Sequence, residues 1–134
     1  MIARYITSED ILVIHAKIID ETGGAHGVRD THLLSSMAER PRMQFGGREL
    51  YPTLFDKTAA YFESCARHHV FFDGNKRTAI AIASRFLSVN GYSLISSNKN
   101  LEKFVLDAVV QKFDLKTVAE WFKKYSKKQR RKTT

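Results

Sequence analysis

The chain has 134 residues, 43% of them apolar and 27% charged, with a formal charge of +8 and a single cysteine. Those values fit one globular domain with its own core, and they exclude a disulfide framework or a cysteine-based metal site. No stretch is long and apolar enough to cross a membrane, and "MIARYITSED" at the start carries no signal-peptide pattern, so a reducing, cytoplasmic setting is expected.

The pattern of apolar residues is helical nearly throughout. "TSEDILVIHAKIIDETGG" opens with Thr7 or Ser8 as N-cap, carries Ile11, Ile14 and Ile18 on one stripe, and stops at Gly23 and Gly24. Asp30 is placed to cap a second helix, "THLLSSMAER", which Pro41 ends. "RPRMQFGGRELYPT" has no helical period and reads as a structured loop or a short hairpin, with Phe45 and Tyr51 exposed. A helix resumes from Thr53 to about Arg67 or His68, burying Leu54, Phe55, Ala59, Phe62, Cys65 and Ala66. "HVFFDG" interrupts it. The most apolar helix of the chain then begins at Asn75 or Lys76 and closes at Asn90 and Gly91. "NKNLEKFVLDAVVQK" is a further amphipathic helix, and Asp114 is placed to cap the last, "LKTVAEWFKKY". The expected fold is a single all-α helical bundle, with room for one small β-hairpin near residues 44–51.

After Glu120 come Lys123, Lys124, Lys127, Lys128, Arg130, Arg131 and Lys132, with no acid among them. Without these seven, 15 cations stand against 14 acids, so the body is close to neutral. The expected organisation is one domain over residues 1–125 and a basic, flexible C-terminal tail over 126–134. The tail is either a solvated terminus or an arm for nucleic acid or another acidic partner.

The chemistry concentrates in "HVFFDGNKR", residues 69–77, between two buried helices. Loops held by a rigid scaffold are where binding and catalytic groups collect. The helix that opens at Gly74, Asn75, Lys76 and Arg77 presents backbone N–H groups with no intrahelical partner at its positive end. Gly74 allows an anion close to the backbone, and Lys76 and Arg77 add two full charges, which together suit phosphates. Asp73 is misplaced beside an anion unless a divalent cation lies between them; one carboxylate with phosphate oxygens and waters is a usual Mg²⁺ site. His69 is of the residue type that accepts a proton near neutral pH. Phe71 alternates with His69 and Asp73, so it is expected to point into the core while Val70 and Phe72 face away. A base, a cation-binding acid and a phosphate cradle outline phosphoryl or nucleotidyl transfer. No metalloprotease spacing, phosphate-binding G-x-x-x-x-G-K-[ST] loop or G-x-S-x-G elbow competes with it.

These nine residues resemble the signature of the Fic fold, His-x-Phe-x-Asp/Glu-Gly-Asn-Gly-Arg, and more closely that of its Doc branch, which has Lys before the Arg. "GGAHGVRDTHLLSSMAERP", "FGGRELYPTLFDKTAAYF" and "KRTAIAIASRFLSVNGY" are similar to Doc-type toxins as well, over roughly residues 5–95. The resemblance implies that His69 takes the proton of a target Ser or Thr hydroxyl, Phe71 anchors the loop and Asp73 binds Mg²⁺. It also implies that Gly74 and Asn75 contribute to phosphate binding and orientation and that Lys76 and Arg77 contact the phosphates of ATP. Lys76 stands where AMP-transferring Fic enzymes have glycine, and Ile80 where they have a second arginine. Both features belong to the Doc branch, which implies transfer of the γ-phosphate to a protein, with translation elongation factor Tu as target and arrest of translation as outcome. The alternatives are AMP transfer by the same loop, or a non-catalytic module that binds through the basic tail. The resemblance further implies a Phd-type antitoxin acting in trans, since no internal inhibitory helix is evident. "QFGGRELYP" is either a flap that aligns the target chain or a plain connection. Arg67 either reaches the phosphates or lies on the surface.

Overall fold

The computed structural model describes residues 2–130. Six α-helices make the bundle: α1 (Ser8–Thr22), α2 (Thr31–Glu39), α3 (Leu54–His68), α4 (Asn75–Val89), α5 (Asn98–Val110) and α6 (Leu115–Lys124). Two small antiparallel sheets accompany them. β1 (Gln44–Phe45) pairs with β2 (Arg48–Glu49), which is the hairpin expected near residues 44–51. β3 (Tyr92–Leu94) pairs with β4 (Ser126–Lys128), which the sequence pattern does not suggest. β4 lies within the segment read as a tail; Arg131 and Lys132 lie outside the described residues.

Local side-chain caps start most of the helices. Thr7 and Asp10, and Thr53 and Asp56, form reciprocal capping boxes at α1 and α3. Asp30, Ser97 and Asp114 cap α2, α5 and α6. Pro41 ends α2 in a single 3₁₀ turn, Arg40–Arg42, because its ring cannot continue the α-helical ladder. Gly91, at φ 88°, supplies the left-handed residue after α4.

α3 is the axis of the core. Ten of its 15 residues are buried, against six of α4, which packs along it. Tyr61, Phe62, Phe86 and Phe122 are buried to within 1% exposure. Phe62, Phe104, Trp121 and Phe122 form an aromatic cluster that ties α5 and α6 to α3. On α1 the buried stripe is Ile11, His15 and Ile19, with Ile14 and Ile18 only half-buried. The expected stripe of Ile11, Ile14 and Ile18 is displaced because an i, i+4, i+8 row faces the neighbouring helices instead.

Polar contacts seat the hairpin. The buried Lys57 ammonium reaches the Glu49 carboxylate at 3.0 Å and the Tyr51 carbonyl. Arg40 bonds the Tyr51 hydroxyl at 2.8 Å and Glu63 at 3.0 Å. At the N-terminal end the Tyr61 hydroxyl accepts from the Ile6 N–H at 2.9 Å and donates to the Ile6 carbonyl at 3.2 Å. Burial pushes the Tyr61 phenol up to about 12, so it stays neutral. Replacing Tyr61 by Phe leaves both buried Ile6 groups unpaired, and the expected loss of about 1–3 kcal/mol is measured by urea unfolding.

Candidate active site

The segment from His69 to Arg77 joins α3 to α4, and backbone bonds fasten it to residues 27–30. The N–H groups of Arg29 and Asp30 donate to the Val70 carbonyl at 2.9 and 3.3 Å, and the Phe72 N–H donates to the Gly27 carbonyl at 3.2 Å. Val28 and Phe71 form an isolated antiparallel bridge. The Arg29 guanidinium donates to the carbonyls of His69 at 2.6 Å and His68 at 3.2 Å. A cation there satisfies carbonyls that the end of α3 leaves without helical partners.

His69 is the residue on which α3 turns off. It is left-handed at φ 50° and ψ 54°, and it is exposed. Such backbone costs a non-glycine residue on the order of 1 kcal/mol, a strain that the fastened loop sustains. Phe71 is buried as expected, its ring flat against His15 with centroids 3.7 Å apart. Val70 is buried too, contrary to the alternation expected of it. The left-handed turn at His69 breaks the strict inward and outward alternation of an extended strand, so only Phe72 faces outward.

Asp73 ends the loop. Its Oδ2 accepts from the Ala25 N–H at 3.1 Å and its Oδ1 from the Gly74 N–H at 2.8 Å. These two bonds, with the nearby Arg77, hold the carboxyl below the usual aspartate range. Arg77 lies 3.7 Å from Asp73 and also donates to Thr22 and to the Gly23 carbonyl. Gly74 is left-handed at φ 73°, and a Cβ there would stand 2.9 Å from the Ile19 methyl, so any other residue would be strained and Ile19 would have to shift. α4 begins at Gly74 with no side-chain cap, unlike the other five helices. Its first N–H groups are thus without a side-chain partner, an arrangement able to take an anion. Lys76 and Arg77 border a groove of about 370 Å³ floored by Ile80, Leu101 and Val105.

Two further side chains are held by the fold itself. Asn75 turns its amide back on the loop: its Oδ1 accepts from the Phe71 N–H at 3.0 Å and its Nδ2 donates to the Phe71 carbonyl at 2.9 Å. Arg67 neither reaches toward phosphates nor lies free on the surface. It donates to the carbonyls of Ala108 and Phe113 and to Glu63, securing the far end of α5.

The profile of the Fic/DOC family matches residues 5–87. The chain belongs to the Fic/Doc family. It is 43% identical over 91 residues to the toxin Doc of Mycolicibacterium smegmatis, with 68% of each chain covered. It is 30% identical over 117 residues to the protein kinase doc of Escherichia phage P1, covering 87% of this chain and 91% of that one.

The Fic/Doc loop thus runs from His69 at the end of α3 to Asp73, Gly74, Lys76 and Arg77 at the start of α4. The supports contributed from outside the motif, His15, Ala25 and Arg29, carry no motif signal of their own. The only hint in the sequence is a histidine on an otherwise apolar stripe.

A single carboxylate beside an uncapped helix start fits a cation that keeps most of its waters and takes oxygens from a phosphate. Among the described residues no group of three or more His, Cys, Asp or Glu side chains forms an all-protein cage. Asp73, depressed in the fold, contributes stability that is present above its unfolded value near 3.9 and is lost as pH falls through the folded value. An NMR titration is expected to place its midpoint below that of an unfolded aspartate, and Asp73→Asn to flatten the acid side of the stability curve.

Proposed function

We propose that the chain is a Doc-type toxin that transfers the γ-phosphate of ATP to a Ser or Thr hydroxyl of a protein, with translation elongation factor Tu as the target. The observation that carries this reading is the start of α4. Among the described residues it is the one α-helix without a side-chain cap, and it stands between a depressed carboxylate, two cations and the loop of His69. The names of the two relatives, a toxin and a protein kinase, support the same reading.

In this mechanism the N–H groups at the start of α4 and the Lys76 and Arg77 side chains receive the phosphates. Asp73 would hold Mg²⁺, which would supply positive charge against the phosphates. His69 accepts the proton of the target hydroxyl. The hydroxyl oxygen bonds to the γ-phosphorus as the bond to the β,γ-bridging oxygen breaks, and ADP leaves. Asn75 serves by fixing Phe71, and so the loop, more than by touching phosphate.

Lys76 favours γ-phosphoryl over AMP transfer. Its side chain is exposed on the first turn of α4 and borders the groove, where a glycine would leave room for an α-phosphate. The Phd-type antitoxin belongs to the same proposal, as does action in the cytoplasm. No helix among the described residues is long and apolar enough to cross a membrane. Contact with nucleic acid would rest on the basic C-terminal segment alone, as would a purely binding role.

The test is a transfer assay with elongation factor Tu, Mg²⁺ and ATP labelled at the α or the γ position. Label is expected from the γ position only, and His69→Ala is expected to lower the rate about 10²–10⁴-fold. Label from the α position would establish AMP transfer instead. Lys76→Gly is expected to shift the product toward nucleotidyl transfer, read by mass spectrometry of the target; an unchanged product would remove Lys76 as the determinant.

A further inference from the structure

His15 is a buried titratable side chain outside the motif that touches the motif loop. It lies on α1 between Ile11 and Ile19 and is 3% exposed. An apolar residue would fill that stripe without a polar atom to bury. The imidazole instead makes a ring stack and a hydrogen bond with the loop. Its ring stacks on Phe71 with planes 4° apart, and its Nε2 lies 2.8 Å from the Asp73 carbonyl oxygen. A backbone carbonyl only accepts, so Nε2 carries the hydrogen. Burial lowers the affinity of the ring for a second proton, partly offset by the bond to Asp73.

The turn after α1 holds the other end of the same residue. The Ala25 N–H bonds Asp73 Oδ2, and the Gly24 backbone passes so close that a Cβ there would stand 2.5 Å from that oxygen. Asp73 lies in irregular backbone, where no helix or sheet ladder fixes its peptide plane. α1 and the turn that follows it therefore grip Asp73 at both the peptide and the carboxylate.

We propose that His15 is a positioning residue of the site, whose Nε2–H fixes the Asp73 peptide so that the carboxylate faces a divalent cation at the start of α4. This rests on the reading of Asp73 as the cation-holding acid. His15 touches neither substrate nor cation and acts through Asp73, as the hydrogen-bonded supports of metal ligands do.

Two variants of the full chain test it. His15→Gln places an amide N–H at the reach of Nε2, and His15→Phe keeps a flat ring on Phe71 without a donor. Hydrogen exchange of the Ala25 and Gly74 amides, both bonded to Asp73, is read without nucleotide. Mg²⁺ affinity with ATP bound, kcat and the KM for the protein acceptor follow. His15→Phe is expected to expose both amides, weaken Mg²⁺ binding by about 10–100-fold and lower kcat with the acceptor KM unchanged. His15→Gln is expected to stay near wild type in every readout. A loss in His15→Gln with His15→Phe near wild type would assign the effect to ring packing and overturn the proposal, as would equal losses in both variants or unchanged protection and Mg²⁺ affinity in His15→Phe. If His15→Phe fails to fold, His15→Met carries the same comparison. Wild-type protein that binds no Mg²⁺ would sink the reading of Asp73, and the amide data would still decide whether His15 fixes its peptide.

Discussion

The fixed position of Phe71 underlies everything the site can do. Its ring is buried against His15, and its N–H and carbonyl are both bonded by the Asn75 amide. Two residues before it stands His69 and two after it Asp73. A loop pinned in the middle with functional groups at either end loses little freedom when a ligand arrives. The cost of ordering has already been met in folding, and that pre-organisation is what positioning catalysis requires.

The pin works in both directions along the chain. Asn75 is the first residue of α4, so the bonds that hold Phe71 also fix where α4 begins. Gly74 can then turn left-handed against Ile19 of α1 without a Cβ to clash. The Cys65 thiol, pushed up by burial and so kept protonated, donates to the Asn75 carbonyl at 3.3 Å and joins α3 to the same point. Three helices thus converge on one turn of backbone. The left-handed strain at His69 is sustained because Arg29 grips the carbonyls on either side of the turn.

Features built from near neighbours were legible in the sequence. Thr7, Asp30, Thr53 and Asp114 cap helices two or three residues ahead of themselves, and the motif residues are contiguous, so their types and spacing disclose them. Features that join distant segments were not. His15 and Asp73 are 58 residues apart, Arg29 and His69 are 40, and Arg67 and Ala108 are 41. A polar side chain at a helical position does not declare which remote carbonyl it will meet. On α1 two stripes, one starting Ile11 and Ile14 and one starting Ile11 and His15, fit the helical period equally well. Only packing against the loop chooses the second. Val70 was misplaced because the left-handed turn at His69 breaks the alternation, so that Val70 is buried beside Phe71. β4 escaped notice because its lysines lack the composition of a strand; it forms where the chain end meets the exposed edge of β3.

The pairing of β3 with β4 has an electrostatic consequence. Lys128 sits opposite Tyr92, three residues beyond the last turn of α4, while the proposed phosphate site lies at the first. A 15-residue helix is about 22 Å long, and fields of exposed charges decay over about 8 Å at physiological salt. The cations of β4 are therefore screened from that site. If the start of α4 takes a nucleotide as proposed, the basic strand adds little to that hold, and raising the salt concentration should disturb whatever meets the strand before it disturbs the nucleotide.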